Sequence, residues 1–215
     1  MTENTVEFIV LKKTPYRESA FIVQGITPDN GKMSFIIHGA RTVEGKKFPI
    51  VDLLRQLSIT YKEKGNGQSL YTATNVELIS HCDEIALAPE LLTRVLKTGL
   101  FLLANSAEDL GSPLVYETFR NFLANARLLA ENPSAAIWNE TAASIAVKMV
   151  FLYENGLLPV PDESDPKADA RTAAIESIIS AGVDGTPFPR TDEVYLTRVN
   201  RFLNHIIRSQ NLPLK

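Results

Sequence analysis

Residues 14–41 read TPYRESAFIVQGITPDNGKMSFIIHGAR, and this stretch decides the fold of the first third of the chain. From Ser19 to Ile26 the β-branched and aromatic residues Phe21, Ile22, Val23 and Ile26 predict a strand. Thr27-Pro28-Asp29-Asn30-Gly31 predicts the turn after it, because Pro28 fixes its own φ and Asn30-Gly31 supplies the positive φ of a tight hairpin. Met33 to Ile37 return as a second strand. Gly39-Ala40-Arg41 then form a basic exit whose small residues let another backbone or a ligand come near.

Strand signals continue on both sides of this hairpin. Val6, Phe8 and Val10 alternate with polar neighbours, as do Leu57, Ile59 and Tyr61. Thr42 to Pro49 reads as a polar, basic loop, Gly65-Asn66-Gly67 as a turn, and Leu70 to Thr74 as the opening of a last strand that ends near Ile79. About five strands in so short a segment suit an oligonucleotide-binding (OB) barrel, which closes its own edges and offers one face and its loops to a nucleic-acid strand. Another small barrel, such as an SH3-like one, fits the strand count equally.

At Pro89 the apolar period changes from two to that of a helix. Leu91, Leu92, Val95, Leu96, Gly99, Leu100 and Leu103 share a stripe, with Pro89 in the first turn. Ser112-Pro113 starts a second helix carrying Val115, Phe119, Phe122, Leu123 and Ala126, and Asn132-Pro133-Ser134 breaks it. Trp138, Ala142, Ile145, Met149 and Leu152 predict a third, stopping at Gly156, and Pro161 to Lys167 reads as an exposed loop. Two more helices are expected, at about 168–181 and 191–209. The reading is α+β: an OB-type barrel over residues 1–80 and an all-helical domain over 81–215.

Bulk composition narrows the function classes. A 215-residue chain that is 45% hydrophobic and 22% charged is long enough and apolar enough for folded cores. No apolar run reaches the length of a membrane span, and the first ten residues lack the pattern of a secretory signal. The single Cys82 allows no internal disulfide, so a cytoplasmic protein is expected. The net charge of −3 argues mildly against nucleic-acid binding, but it is unevenly spread. Residues 1–80 hold ten Lys/Arg against eight Asp/Glu, a balance of +2, while residues 81–215 hold twelve against seventeen, a balance of −5.

The ordered pieces Val10-Leu11, Pro15-Tyr16-x-Glu18, Thr27-Pro28-x-x-Gly31-Lys32 and Gly39-Ala40-Arg41 resemble the N-terminal barrel of the RecO recombination-mediator family. After residue 90 the resemblance rests on helix pattern and on FLYENGLLPV, residues 151–160, where a long helix ends in Gly followed by Pro. It implies a bacterial, nucleoid-associated repair protein that binds and anneals single- and double-stranded DNA. It also implies engagement of the C-terminal tail of the single-stranded-DNA-binding protein and, with RecR, help in loading RecA. Some relatives carry a four-cysteine zinc site where this chain reads Pro159-Val160-Pro161-Asp162, and one cysteine cannot supply it. Neither metal nor cofactor is expected.

No phosphate-cradling Gly-x-x-x-x-Gly-Lys-Ser/Thr loop, Gly-x-Ser-x-Gly or His-Glu-x-x-His occurs. His81-Cys82 are adjacent at a strand end and point to opposite faces, so a non-enzymatic protein is expected. Lys12, Lys13, Arg17, Lys32, Arg41, Lys46 and Lys47 are candidate phosphate contacts, read as flanking the loops beside one barrel face; the alternative is an ordinary solvated surface. Of the aromatics that can stack on bases, Phe35 and Tyr61 read as barrel core, whereas Tyr16, in a loop beside Arg17, is open to either role and Tyr71 stays a candidate. On the last helix Arg198, Arg201 and Arg208 recur on one side. Complementing the helix dipole explains Arg208 well and Arg198 poorly. The resemblance makes Arg198 and Arg201 candidate partners for the acidic tail of the single-strand-binding protein. The competing reading is a module of the same fold that binds proteins only.

Overall fold

The computed structural model describes residues 3–41, 50–62, 69–159 and 166–214. Five strands, β1 (Glu3–Tyr16), β2 (Ala20–Thr27), β3 (Gly31–His38), β4 (Gln56–Lys62) and β5 (Tyr71–Ser80), close into a barrel in the order β1-β2-β3-β5-β4, with β4 returning to β1. Neighbours are antiparallel except β3 and β5, which run parallel. A closed five-stranded barrel of this order is the oligonucleotide-binding fold. Its interior holds Phe8, Val10, Val23, Phe35, Ile37, Leu57 and Ile59, all fully buried.

Phe35 and Tyr61 lie in this core as expected, in an aromatic cluster with Phe8 and Tyr71 whose ring centroids are 4.8–6.0 Å apart. Strand β1 is longer than the alternation predicts. Val10 pairs with Gly25 and Lys12 with Gln24, so Leu11 is an extra residue bulged out of register. The bulge lets Phe8, Ile9, Val10 and Leu11 all be buried in succession. It also carries the strand on to Tyr16, which pairs with Ala20; Tyr16 therefore ends the strand beside the β1–β2 turn and does not lie in the loop where the sequence reading placed it, and Lys12 and Lys13 precede it in the same strand.

The β2–β3 turn forms where predicted. Gly31 has φ +61°, the Thr27 hydroxyl donates to the Gly31 carbonyl at 3.1 Å, and the Asn30 N–H donates back to that hydroxyl at 3.1 Å. Residues 102–113 hold this turn from outside. The Lys32 N–H donates to the Ala107 carbonyl, the Ser112 N–H donates to the Pro28 carbonyl, both at 2.9 Å, and Gly31 forms an isolated bridge with Glu108. A Cβ on Gly31 would lie 2.3 Å from the Leu110 carbonyl oxygen and 2.4 Å from that of Ala107.

The chain divides into two compact units, Met1–Asp83 with Leu102–Pro113, and Glu84–Phe101 with Leu114–Lys215. After a 3-10 turn at Asp83–Leu87 come α1 (Pro89–Asn105), α2 (Pro113–Glu131), α3 (Glu140–Glu154), α4 (Ala168–Asp184) and α5 (Glu193–Ser209). Helix α3, TAASIAVKMVFL over residues 141–152, is buried on nearly every side and packs against α4 and α5, as an all-round apolar helix must. Trp138, expected on this helix, precedes its N-cap Asn139. Its indole N–H donates to the Thr186 carbonyl at 2.6 Å, and the buried Asn125 side chain holds its backbone N–H and C=O at 3.0 and 2.9 Å. Helix α3 ends as predicted at Gly156 (φ +65°), with Leu157 N–H donating to Leu152 and Gly156 N–H to Tyr153, a Schellman cap.

Candidate nucleic-acid interface

The sequence candidates fall into three environments. Tyr16, Arg17 and Arg41 come together at one end of the barrel. Tyr16 ends β1, and Arg17 opens the β1–β2 turn in a left-handed conformation (φ 52°) with its guanidinium 5.1 Å from the Tyr16 ring centroid. Arg41, leaving β3 through Gly39-Ala40, donates from Nη1 to the Arg17 carbonyl at 2.8 Å, while its backbone N–H donates to Ser19 at 3.2 Å. Arg41 thus meets the backbone of the β1–β2 turn through both its N–H and its guanidinium, and Ala40 closes the core. Both guanidiniums are exposed, and neither meets a carboxylate among the described residues. A stacking ring beside two such cations can take up a base and its phosphates.

Lys12 is exposed on the outer surface of β1, opposite Gln24. Lys13, one residue on, shares a face with Val23 and sits over Phe21, 5.1 Å from the ring centroid. Its ammonium lies 2.6 Å from Asp52 Oδ1, so its charge already has an internal partner. Lys32 begins β3 and its ammonium is 4.0 Å from Glu108. The length of β3, at about 3.3 Å per residue, separates Lys32 from the Arg41 end by roughly 20 Å. Lys46 and Lys47 lie outside the described residues. Sequence reasoning missed Asp52 and Glu108, the carboxylates facing these two lysines from 39 and 76 residues away, for which no local pattern exists.

In the helical unit, Arg198 and Arg201 are both exposed on α5. Arg201 shares a groove of about 430 Å³ with Asn204, His205 and Arg208, while Arg198 stands outside it. At 100° per residue Arg201 and Arg208 are about 20° apart on the helix and Arg198 is about 60° away from Arg201. The described residues hold no group of three or more His, Cys, Asp or Glu able to bind a metal. Cys82 is buried with its thiol 3.4 Å from the Leu54 carbonyl, and His81 is exposed beside Asp83 at 3.9 Å. No described helix is long and apolar enough to cross a membrane.

Residues 1–82 match the family model described as recombination protein O, N terminal, a span that covers the whole barrel and stops before the helices. No curated protein matches the chain.

Proposed function

We propose, from the match of residues 1–82 to the family model of recombination protein O, N terminal, that the chain is a RecO-family recombination mediator in DNA repair, working in the bacterial cytoplasm at the nucleoid. It binds single- and double-stranded DNA through the barrel and anneals complementary strands. It engages the acidic tail of the single-stranded-DNA-binding protein through Arg201, with Arg198 beside it, and acts with RecR in loading RecA. No covalent step is required, so the protein is not an enzyme in this reading, and neither metal nor cofactor takes part. The observation that carries it is the Tyr16–Arg17–Arg41 cluster, one ring and two cations that meet no carboxylate among the described residues, at one end of a closed OB barrel.

A salt titration of single-stranded DNA binding tests it, because displacement of counterions by each phosphate contact adds about −0.7 to the slope of log affinity against log salt. A second reading, a protein-only module, is favoured by the pairing of Lys13 with Asp52 and of Lys32 with Glu108, which removes two of the barrel's cations from ready use. A flat salt response would select it.

A further inference from the structure

Helices α1 and α3 of the helical unit turn three cations toward one pocket of about 260 Å³: Arg94 and Lys97, one turn apart on α1, and Lys148 on α3. Lys148 is the one charged residue in the run AASIAVKMVFL, residues 142–152, where a methionine or leucine would pack without desolvating a charge. No carboxylate among the described residues pairs with it. Burial, and then the charge of Arg94, hold its pKa below the ordinary lysine value. Arg94 gives one nitrogen, Nη2, to Glu140 at 3.1 Å, but its Nε–H is buried with no acceptor. With Glu90 as the sole acidic residue of the lining, the pocket carries a balance of +2.

The hydroxyls at the back of the pocket cannot be the ligand donors. Thr98 Oγ1 donates to the Arg94 carbonyl at 2.9 Å and lies 3.0 Å from Ser144 Oγ, so Ser144 must be the donor of that second bond and both protons are committed. Whatever enters is held by the cations. Three donors converging from two helices suit the several oxygens of a tetrahedral dianion better than the planar pair of a carboxylate.

We propose that this pocket is a phosphate site, in which phosphoryl oxygens accept from Lys148 Nζ, Lys97 Nζ and Arg94 Nε. The phosphate belongs either to a small molecule or to the end of a nucleic-acid strand. The site is independent of the barrel's DNA reading.

The test is thermal unfolding of the full chain in increasing inorganic phosphate at constant ionic strength, with acetate as the control. A ligand that binds only the folded state raises Tm in proportion to RT ln(1 + [L]/Kd). Phosphate should raise Tm along that logarithmic curve and acetate should not. Lys148→Met, which replaces the unmatched charge with an apolar chain of similar length, should keep or raise the basal Tm and weaken phosphate by about tenfold or more. Amide NMR of the unmodified protein supplies a reading that needs no variant: phosphate should shift residues near Arg94, Lys97, Ser144 and Lys148. Oligonucleotides with and without a 5′-phosphate separate the sources. If only the phosphorylated strand moves those amides, the ligand is a strand end; if neither does, it is a small phosphate. Equal stabilisation by acetate, an unchanged response in Lys148→Met, or phosphate shifts elsewhere would overturn the site.

Discussion

The Arg41 guanidinium donates to the Arg17 carbonyl oxygen at 2.8 Å, so the residue that leaves β3 fastens the turn between β1 and β2. One arginine thus spaces the other, and the two have separable contributions. Arg17 holds φ 52°, a conformation costing a non-glycine residue roughly 1 kcal/mol. Arg17→Gly therefore removes a charge while relieving strain: Tm should hold or rise while affinity for DNA of any sequence falls. The salt slope should drop by about 0.7 for single strands. Arg41→Ala removes both a charge and a structural hydrogen bond, so affinity and Tm should fall together. Unchanged affinity and slope in both folded variants would move the interface away from this turn.

Gly31 and Gly156 have nearly the same backbone, φ +61° and +65°, in different surroundings. A Cβ at Gly156 meets nothing within 4 Å, whereas at Gly31 it meets two carbonyl oxygens of residues 107 and 110. Gly156→Ala should cost about 1 kcal/mol, the strain alone. Gly31→Ala should cost more than twice that, since backbone has to move to admit the methyl group. Urea unfolding followed by circular dichroism measures both, and equal losses would show that residues 102–113 yield freely.

The same comparison separates what the sequence carries from what it hides. The β2–β3 turn and the Gly156 cap were legible because every residue that makes them is local. The reach of β1 was not, because the Leu11 bulge interrupts the alternation that marks a strand and put Tyr16 into an apparent loop. Trp138 joined the third helix on spacing alone, although Asn125, thirteen residues earlier, holds it outside. Among the site residues, cationic character was visible, but not its neutralisation: Lys13 and Arg17 look alike in sequence, and only the fold brings Asp52 to the first. Lys148 carries a readable sign, a lone cation in a largely apolar helix, but the cations that share its pocket lie on α1, some fifty residues away, where no local pattern links them.

Glu154, the last residue of α3, caps a different helix. Its two carboxylate oxygens accept from the Leu114 and Val115 N–H groups at 3.0 and 2.9 Å, satisfying free donors at the start of α2 where the helix dipole favours negative charge. Glu154→Ala should lower stability by about 1–2 kcal/mol, the usual cost of losing a cap. Glu154→Gln keeps one acceptor oxygen and should lose about half as much. If glutamine matches alanine, the charge and not the hydrogen bonding is what holds the helix start.

The barrel should lose stability in acid through two carboxylates. Asp52 is pushed up by burial, but the hydrogen bonds from Lys13 Nζ and the Leu53 N–H, with the charges of Lys13 and Arg55, outweigh that and hold it below its ordinary 3.8. Asp83 is held below the same value chiefly by Arg55, which donates to both of its oxygens at 3.1 and 2.7 Å. For each, the unfolded chain binds the proton more readily than the folded one. The stabilisation is therefore complete above 3.8 and disappears as pH falls through the lower folded values. Both pairs are partly exposed, so each contributes at most about 1 kcal/mol. Urea midpoints taken from pH 5 down to about pH 2 should decline, and the decline should be shallower in Asp52→Asn and shallower still with Asp83→Asn added. Lys13→Met should share the Asp52→Asn stability profile and leave the salt slope of DNA binding unchanged, because its ammonium is engaged by Asp52. A folded Lys13→Met protein with a reduced DNA slope would show that Lys13 exchanges Asp52 for a phosphate when DNA binds, and would extend the interface from the Arg17 turn across the mouth of the barrel.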